Sequence, residues 1–376
     1  MTTRRRVGVG LALPPKPPLG SLTQALYAAR LLRLDAFMVW DHLQDLFPRA
    51  LWERDFTWVA GQNQSPHEFF DYQTYLGYAA ARAGKIRLGV AVTEPIRRHP
   101  VVIAQAMLTL AHLAKRAPIL GIGSGERENV EPYGLDFSRT VSRLDEALRI
   151  IRRCFDPAMT GPIDFDGAFY RLDRAPMDLR APKGRRPEIW VGAVGPRMLE
   201  LTGRYGDGWL PLGVLSPEAY AGKLAVVRSA ARVAGRDPMA IVPSFQPYVV
   251  VAPTEREARA LLDTRVIRFF GLLAPAENWR TIGREHPLGA GFRGSIDFLP
   301  ERYSREELEA AIAAVPVELA ETGLLYGTPD QVTAQLQVYV EAGMRHVVPQ
   351  FASAAISRRH ALYSLRAIRA IARGLG

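Results

Sequence analysis

A (β/α)8 TIM barrel is the fold this sequence predicts, and three observations carry the prediction. Strand-like and helix-like segments alternate along the whole chain. Eight of the strand-like segments are each followed by a helix-like one. The residues just past these strands include Asp41-His42, Thr93-Glu94, Ser124-Gly125-Glu126, Gly195-Pro196-Arg197 and Pro211. Barrel enzymes place their reacting groups there, on the loops at the C-terminal ends of the strands.

The elements follow in order. Val7–Leu13 is the first strand and Leu22–Leu32 has apolar residues at helical spacing. Ala36–Trp40 is the second strand, then comes a long aromatic loop and a helix around Tyr72–Arg82. Ile86–Val92 is the third strand. The helix Pro100–Ala114 begins with proline, whose missing donor is harmless in a first turn. Ile119–Gly123 and the helix Ser142–Cys154 make the fourth unit, and Pro187–Ala193 with a helix from Arg197 to Thr202 the fifth. Asp207–Pro211 precedes the helix Pro217–Val233, and Ile241–Val251 precedes the helix Thr254–Phe269. Thr328-Pro-Asp330 caps a helix that runs to Tyr339, His346–Phe351 is the eighth strand, and Arg358–Ala372 closes the chain. Residues 1–376 therefore read as one barrel domain. It carries an aromatic loop insertion at about 43–70 and an inserted subdomain at about 272–320, because the last connection is too long for a simple loop.

Composition narrows the class. Hydrophobic residues make up 48% of 376, enough for a large core. The longest charge-free apolar run, Pro100 to Ala114, is too short to span a bilayer. The basic start Thr2–Arg6 with Val7–Leu13 lacks the length and cleavage site of a signal peptide, so a cytoplasmic protein is expected. Cys154 is the only cysteine, which rules out an internal disulfide and fits a buried structural thiol. The formal charge is +10, carried by scattered arginines such as Arg30, Arg82, Arg139 and Arg149. Without a nucleic-acid module, an acidic small molecule is the better partner for that charge than DNA or RNA.

The densest candidate site is Ala117–Gly134, an apolar strand that opens at Gly123 and Gly125 into a loop with Ser124, Glu126, Glu128, Asn129 and Glu131. It is not a dinucleotide fingerprint, since the third glycine would fall on Glu126 or Glu128. Glu126 is a candidate acid or else a surface carboxylate paired with Arg127, and Glu128 and Glu131 read as surface carboxylates. His42, at the exit of strand two, is a candidate acid or base, because an imidazole gives and takes protons near neutral pH. Gly192–Met198 offers free backbone N–H groups and Arg197 at a helix start, either a phosphate site or an ordinary turn. Trp52, Phe56, Trp58, Phe69 and Phe70 either cover an apolar substrate or pack on one another. No metal site is expected: H-E-x-x-H and paired cysteines are absent. G-x-S-x-G and Walker motifs are absent too, which points to chemistry done by a bound organic cofactor.

Several stretches match a known pattern in order over essentially the whole chain. They are Trp40-Asp-His42, Leu88–Gln105, Ile189–Arg197, Gly203–Trp209 and Gly327-Thr-Pro-Asp330. The chain resembles the bacterial luciferase-like superfamily, in the branch that uses the deazaflavin coenzyme F420. Within it, Gly235–Met239, Glu285–Ala290 and Phe292 are similar to the mycobacterial phthiodiolone and phenolphthiodiolone dimycocerosates ketoreductases. The resemblance implies hydride transfer between reduced deazaflavin and a ketone, possible substrates being lipid-like, by a homodimer. An FMN-dependent monooxygenase and a non-catalytic flavin or deazaflavin binder are the alternatives. It implies His42 and Glu126 as catalytic acid/base residues and Asp41, Thr93 and Asn129 as cofactor contacts. It further implies a non-proline cis peptide near Val90-Ala91, and Ser124, Gly125, Gly195 and Arg197 around the cofactor phosphate. Coenzyme F420 carries a phosphate and a polyglutamate tail, which gives the arginines a use.

Overall fold

The eight expected strands pair in sequence order into a closed parallel barrel in the computed structural model, which describes residues 6–213 and 215–376. They are β1 Gly8–Leu13, β2 Ala36–Val39, β3 Arg87–Thr93, β4 Ile119–Ile122, β5 Glu188–Val191, β6 Gly208–Trp209, β7 Val242–Phe245 and β8 His346–Val347. Strand β8 closes on β1 through Gly8↔His346 and Val9↔Val347. The basic run Thr2–Arg5 lies outside the described residues. Among those described, no helix is long and apolar enough to cross a membrane.

Side chains alternate across each strand and so form two cores. Ala12, Ala36, Met38, Ala91, Ile119 and Trp190 fill the barrel, while Val9, Phe37, Leu88, Val90 and Leu120 face the helices outside. Trp190 is the largest group inside, and a Cβ on Gly208 would stand 2.6 Å from its ring. Glycine at 208 is what lets strand and indole lie together.

Two prolines reshape the C-terminal part of the barrel. Ile241–Val251 is expected as one strand, but the chain leaves the barrel after Phe245, and Tyr248–Val251 joins a side sheet. His346–Phe351 divides the same way, with Gln350–Phe351 on one side of Tyr248–Val251 in that sheet and Leu325–Gly327 on the other. Pro247 and Pro349 occupy the two breaks, where a residue without an N–H ends a ladder. The helix expected over Thr254–Phe269 is two, Glu255–Leu262 and Arg265–Leu272. The hairpin Ile163–Asp166 and Arg171–Ala175 was not anticipated. Its turn donates three backbone N–H bonds, from Ala168, Phe169 and Tyr170, to the Glu146 carboxylate.

Residues 272–320 form no part of the barrel. They hold the helices Ala276–Thr281, Arg305–Ala313 and Val317–Gly323, packed around Phe269, Trp279 and Phe298. The aromatic loop sits on this insertion, with Phe47 stacked on Phe269 at 5.2 Å and Phe56 edge-on to it at 5.9 Å. His286 of the insertion accounts for the Glu285-His-Pro-Leu motif: its Nε2 lies 2.9 Å from the Leu272 carbonyl. Cys154 is buried, and burial pushes its thiol up to about 11, so it is inert.

At the N-terminal end of the barrel, Asp35 Oδ2 lies 3.4 Å from His346 Nε2 and Oδ1 3.3 Å from Arg116 Nη1. Burial acts to raise the Asp35 carboxyl. The contact with His346 and the charges of His346, Arg87 and Arg116 outweigh burial and hold it at about 2. A depressed carboxylate stabilises the fold above its unfolded value, and that contribution disappears as pH falls through the folded one. Asp35→Asn is therefore expected to cost about 2 kcal/mol at neutral pH. Denaturant midpoints should show the gap between parent and variant narrowing as pH drops from about 4 toward about 2. A gap independent of pH would assign the loss to packing instead.

Candidate active site

Asn129 organises the mouth of the barrel. It sits on the loop after β4, where Gly125 takes φ +93° and turns the chain back toward β2. The Asn129 Oδ1 accepts from the backbone N–H of Leu43 (2.6 Å) and of Gln44 (3.1 Å). Two backbone donors on that oxygen settle the amide's orientation, so Nδ2 is the atom turned toward His42. It lies 3.1 Å from His42 Nδ1 and donates to Glu128 Oε1 at 2.9 Å.

His42 is thus gripped on both ring nitrogens. Nδ1 also lies 3.1 Å from the Gln44 carbonyl, and Nε2 is 3.4 Å from Glu126 Oε2. Nδ1 therefore faces one donor, Asn129, and one acceptor, Gln44, so the neutral Nε2–H tautomer and the imidazolium each find a partner. Phe69 stacks on the ring at 5.6 Å and Trp40 tilts against it at 5.7 Å.

Glu128 is the surprise of the site. The expectation of a surface carboxylate fails: its exposure is 0% and its Oε1 is 3.9 Å from His42 Nδ1. Burial, and next the charge of Glu126, push its carboxyl well above the usual range. Its Oε2 is buried and accepts no hydrogen bond. The side chain of Glu126 is 31% exposed and faces the opening. Tyr248, where the chain leaves the barrel, is pushed up by burial and by the Glu126 charge. His42, Glu126 and Glu128 bring candidate ligand atoms within 4.8 Å of one another. The two carboxylates flank different ring nitrogens, at 3.4 and 3.9 Å, however, whereas one shared ion would draw both to a single nitrogen.

Residues 54–346 match the family model for luciferase-like monooxygenases. The chain belongs to that family. Among the relatives of this luciferase-like chain is the phthiodiolone/phenolphthiodiolone dimycocerosates ketoreductase of Mycobacterium sp. (strain JLS), 42% identical over 88% of each chain. The F420-dependent glucose-6-phosphate dehydrogenase of Nakamurella multipartita is 31% identical over 73% of this chain and 74% of its own. A solved F420-dependent secondary alcohol dehydrogenase, in complex with an F420-acetone adduct, shares the fold with a TM-score of 0.70 at 19% identity. That match covers 92% of this chain and 94% of the other.

The luciferase-like barrel brings His42, Glu126 and Asn129 together as expected, and it revises three other positions. Asp41 was expected as a cofactor contact, but its carboxylate is buried and fully engaged. It accepts from Thr93 Oγ1 (2.6 Å) and Arg98 Nη1 (2.8 Å) and pairs with Arg97 Nη2 (3.1 Å). Thr93 spends its hydroxyl on that bond and acts on the mouth only through Asp41. Val90 faces the outer helices, and the cis peptide lies one residue further on, at Ala91-Val92. Val92 is the residue that the sequence reading missed there. It lies against the glycines of the neighbouring strand ends, its Cγ2 3.3 Å from where a Cβ on Gly123 would stand. Ser124 and Gly125 are partly exposed on the β4 loop, and Gly195 caps the helix Pro196–Tyr205. Arg197, on its first turn, is exposed and reaches Ser142 Oγ at 3.1 Å.

Proposed function

We propose that this chain is a coenzyme F420-dependent ketoreductase, with His42 the proton donor to the carbonyl oxygen. The observation that carries the reading is His42 itself, held at both nitrogens with Nε2 turned toward Glu126 at the barrel mouth. The 42% identity to a ketoreductase supports the same reaction class.

The residues present fit the cofactor. Gly123 carries no side chain beside the Val92 methyls, which leaves a low apolar wall suited to close approach of a flat ring. Ser124, Gly125 and the start of the helix Pro196–Tyr205 offer hydroxyl and backbone donors to a phosphate, with Arg197 adding charge. When bound and reduced, the deazaflavin supplies a hydride equivalent to a carbonyl carbon. Asn129 and the Gln44 carbonyl orient the His42 ring, and His42 Nε2–H gives its proton to the oxygen on which negative charge develops. Glu126 stabilises the imidazolium from which that proton leaves. Leu43, Val194 and Leu212 follow β2, β5 and β6 and stay partly exposed around the mouth. An apolar rim of this kind suits a lipid-like ketone.

Titration of the purified chain with coenzyme F420 and with FMN, side by side, tests the assignment. Deazaflavin should bind, and a long-chain ketone should then be reduced at the expense of reduced F420. Tight FMN binding with no deazaflavin binding would sink the ketoreductase reading in favour of a monooxygenase.

A further inference from the structure

We propose that Glu128 is the proton store of this site, a buried carboxylic acid hydrogen-bonded to Glu126 that returns to His42 the proton given to substrate. The inference rests on the ketoreductase reading for its use, and on geometry for its existence. Glu128 Oε1 is taken by Asn129 Nδ2, whereas Oε2 is enclosed by protein with no donor directed at it. An ionised carboxylate in that place would leave a buried anionic oxygen bare, which is costly. Protonating Oε2 removes the charge and creates an O–H whose natural acceptor is the neighbouring Glu126 carboxylate. An oxygen of Glu126 lies within 4.8 Å of one of Glu128. The pair then holds one proton and one negative charge, and that charge sits on the partner open to the mouth.

The balance of the step is simple. His42 loses the Nε2 proton to the substrate oxygen and becomes neutral. Glu128 Oε2–H passes its proton to Glu126, whose carboxylate passes one on to His42 Nε2. The chain ends with imidazolium at His42 and a second carboxylate at Glu128. His42 lies 3.4 Å and 3.9 Å from oxygens of the two carboxylates, so the restored cation offsets the charge left behind. Solvent reprotonates the pair through Glu126 when product leaves.

The groups that face Glu128 are His42 and Asp45 from the loop after β2, Glu126 on its own loop, and Tyr133 just beyond. Asp45 is neutralised by Lys16 at 2.6 Å. The nearest cation on the Tyr133 side is Arg97, which pairs with Asp41 and Glu94. Apart from the His42 imidazolium, none of these supplies Glu128 with a counter-ion.

Two measurements decide. In the full chain without added cofactor, carbon-13 NMR of labelled glutamate carboxyls, assigned with Glu128→Gln, should find Glu128 in its acid form at neutral pH. Titration in the ordinary carboxylate range overturns the proposal. In turnover, Glu128→Gln keeps the shape and the bond from Asn129 but has no acidic proton. Its kcat should fall about tenfold or more, up to the roughly 10²–10⁴-fold of a general acid–base step. Deazaflavin affinity should stay unchanged, and small buffer acids should restore the rate in a concentration-dependent way. Wild-type kcat, or a loss that buffer does not rescue, would show Glu128 to be structural. A chain that binds no deazaflavin removes the ketoreductase reading, while the NMR result still decides whether the proton is shared.

Discussion

Replacing His42 with alanine is expected to lower ketone reduction about 10²–10⁴-fold, the usual contribution of a positioned general acid. Deazaflavin affinity should change little, since the ring wall at Gly123 and Val92 and the phosphate donors around Gly195 are untouched. The split matters because His42 also fills space, with Phe69 and Trp40 packed on its faces. Alanine leaves a gap there and takes the imidazole away from Glu126 and Glu128. His42→Gln separates the two effects: it fills much of the volume and keeps a hydrogen-bonding end, yet cannot deliver a proton. If chemistry is the cause, both variants lose kcat while the dissociation constant for coenzyme F420 stays put. If His42→Gln retains most of the activity, His42 is a packing group and Glu126 becomes the proton donor. Unchanged turnover in both would remove His42 from the mechanism.

The barrel was legible in the sequence because periodicity and strand-end chemistry agree. Each apolar strand stops where Asp41-His42, Thr93-Glu94 or Ser124-Gly125-Glu126 begins, and all these ends converge on one mouth. What sequence reading mistook depends on packing between segments far apart in the chain. Glu128 looks like any carboxylate beside an arginine, until Gln44 of the β2 loop bonds to its carbonyl and encloses its side chain. Asp41 reads as a site residue from its neighbour His42, but Arg97 and Arg98, from the far side of β3, claim its carboxylate. The two strands broken at Pro247 and Pro349 were marked by those prolines, and apolar residues on both sides hid the breaks. The hairpin at 163–175 alternates only briefly, with Ile163 and Phe165 inward and Asp164 and Asp166 outward. A pattern that short carries little information.

The largest stability effect is expected at Asp41. Its carboxylate is 3% exposed and lies against two guanidiniums, Arg97 and Arg98, the first of them 7% exposed. Arg97 has Glu94 as a second partner at 2.5 Å and Arg98 has Asp71 at 2.6 Å, so two guanidiniums meet three carboxylates, with Asp41 the one that both of them share. One nitrogen of Arg97, Nη1, is already buried without a partner, which leaves the guanidinium no spare contacts to fall back on. Asp41→Asn preserves shape and removes one negative charge. Glu94 and Asp71 still answer the two guanidiniums in the variant, so the cost is that of the charge-assisted hydrogen bonds lost at Asp41, about 1.5–3 kcal/mol. Denaturant unfolding of the variant should show a loss of that size. Adding Arg98→Met should recover part of it, since the two residues touch and their effects cannot simply add. Full additivity, or a loss below about 1 kcal/mol, would show that solvent reaches the cluster and that Asp41 is free to face the mouth. The same variant links fold to site. Asp41 adjoins His42 in the chain, and a β2 loop released from Arg97 and Arg98 shifts the imidazole away from Glu126. Activity should therefore fall further than stability alone accounts for when both are measured well below the unfolding transition.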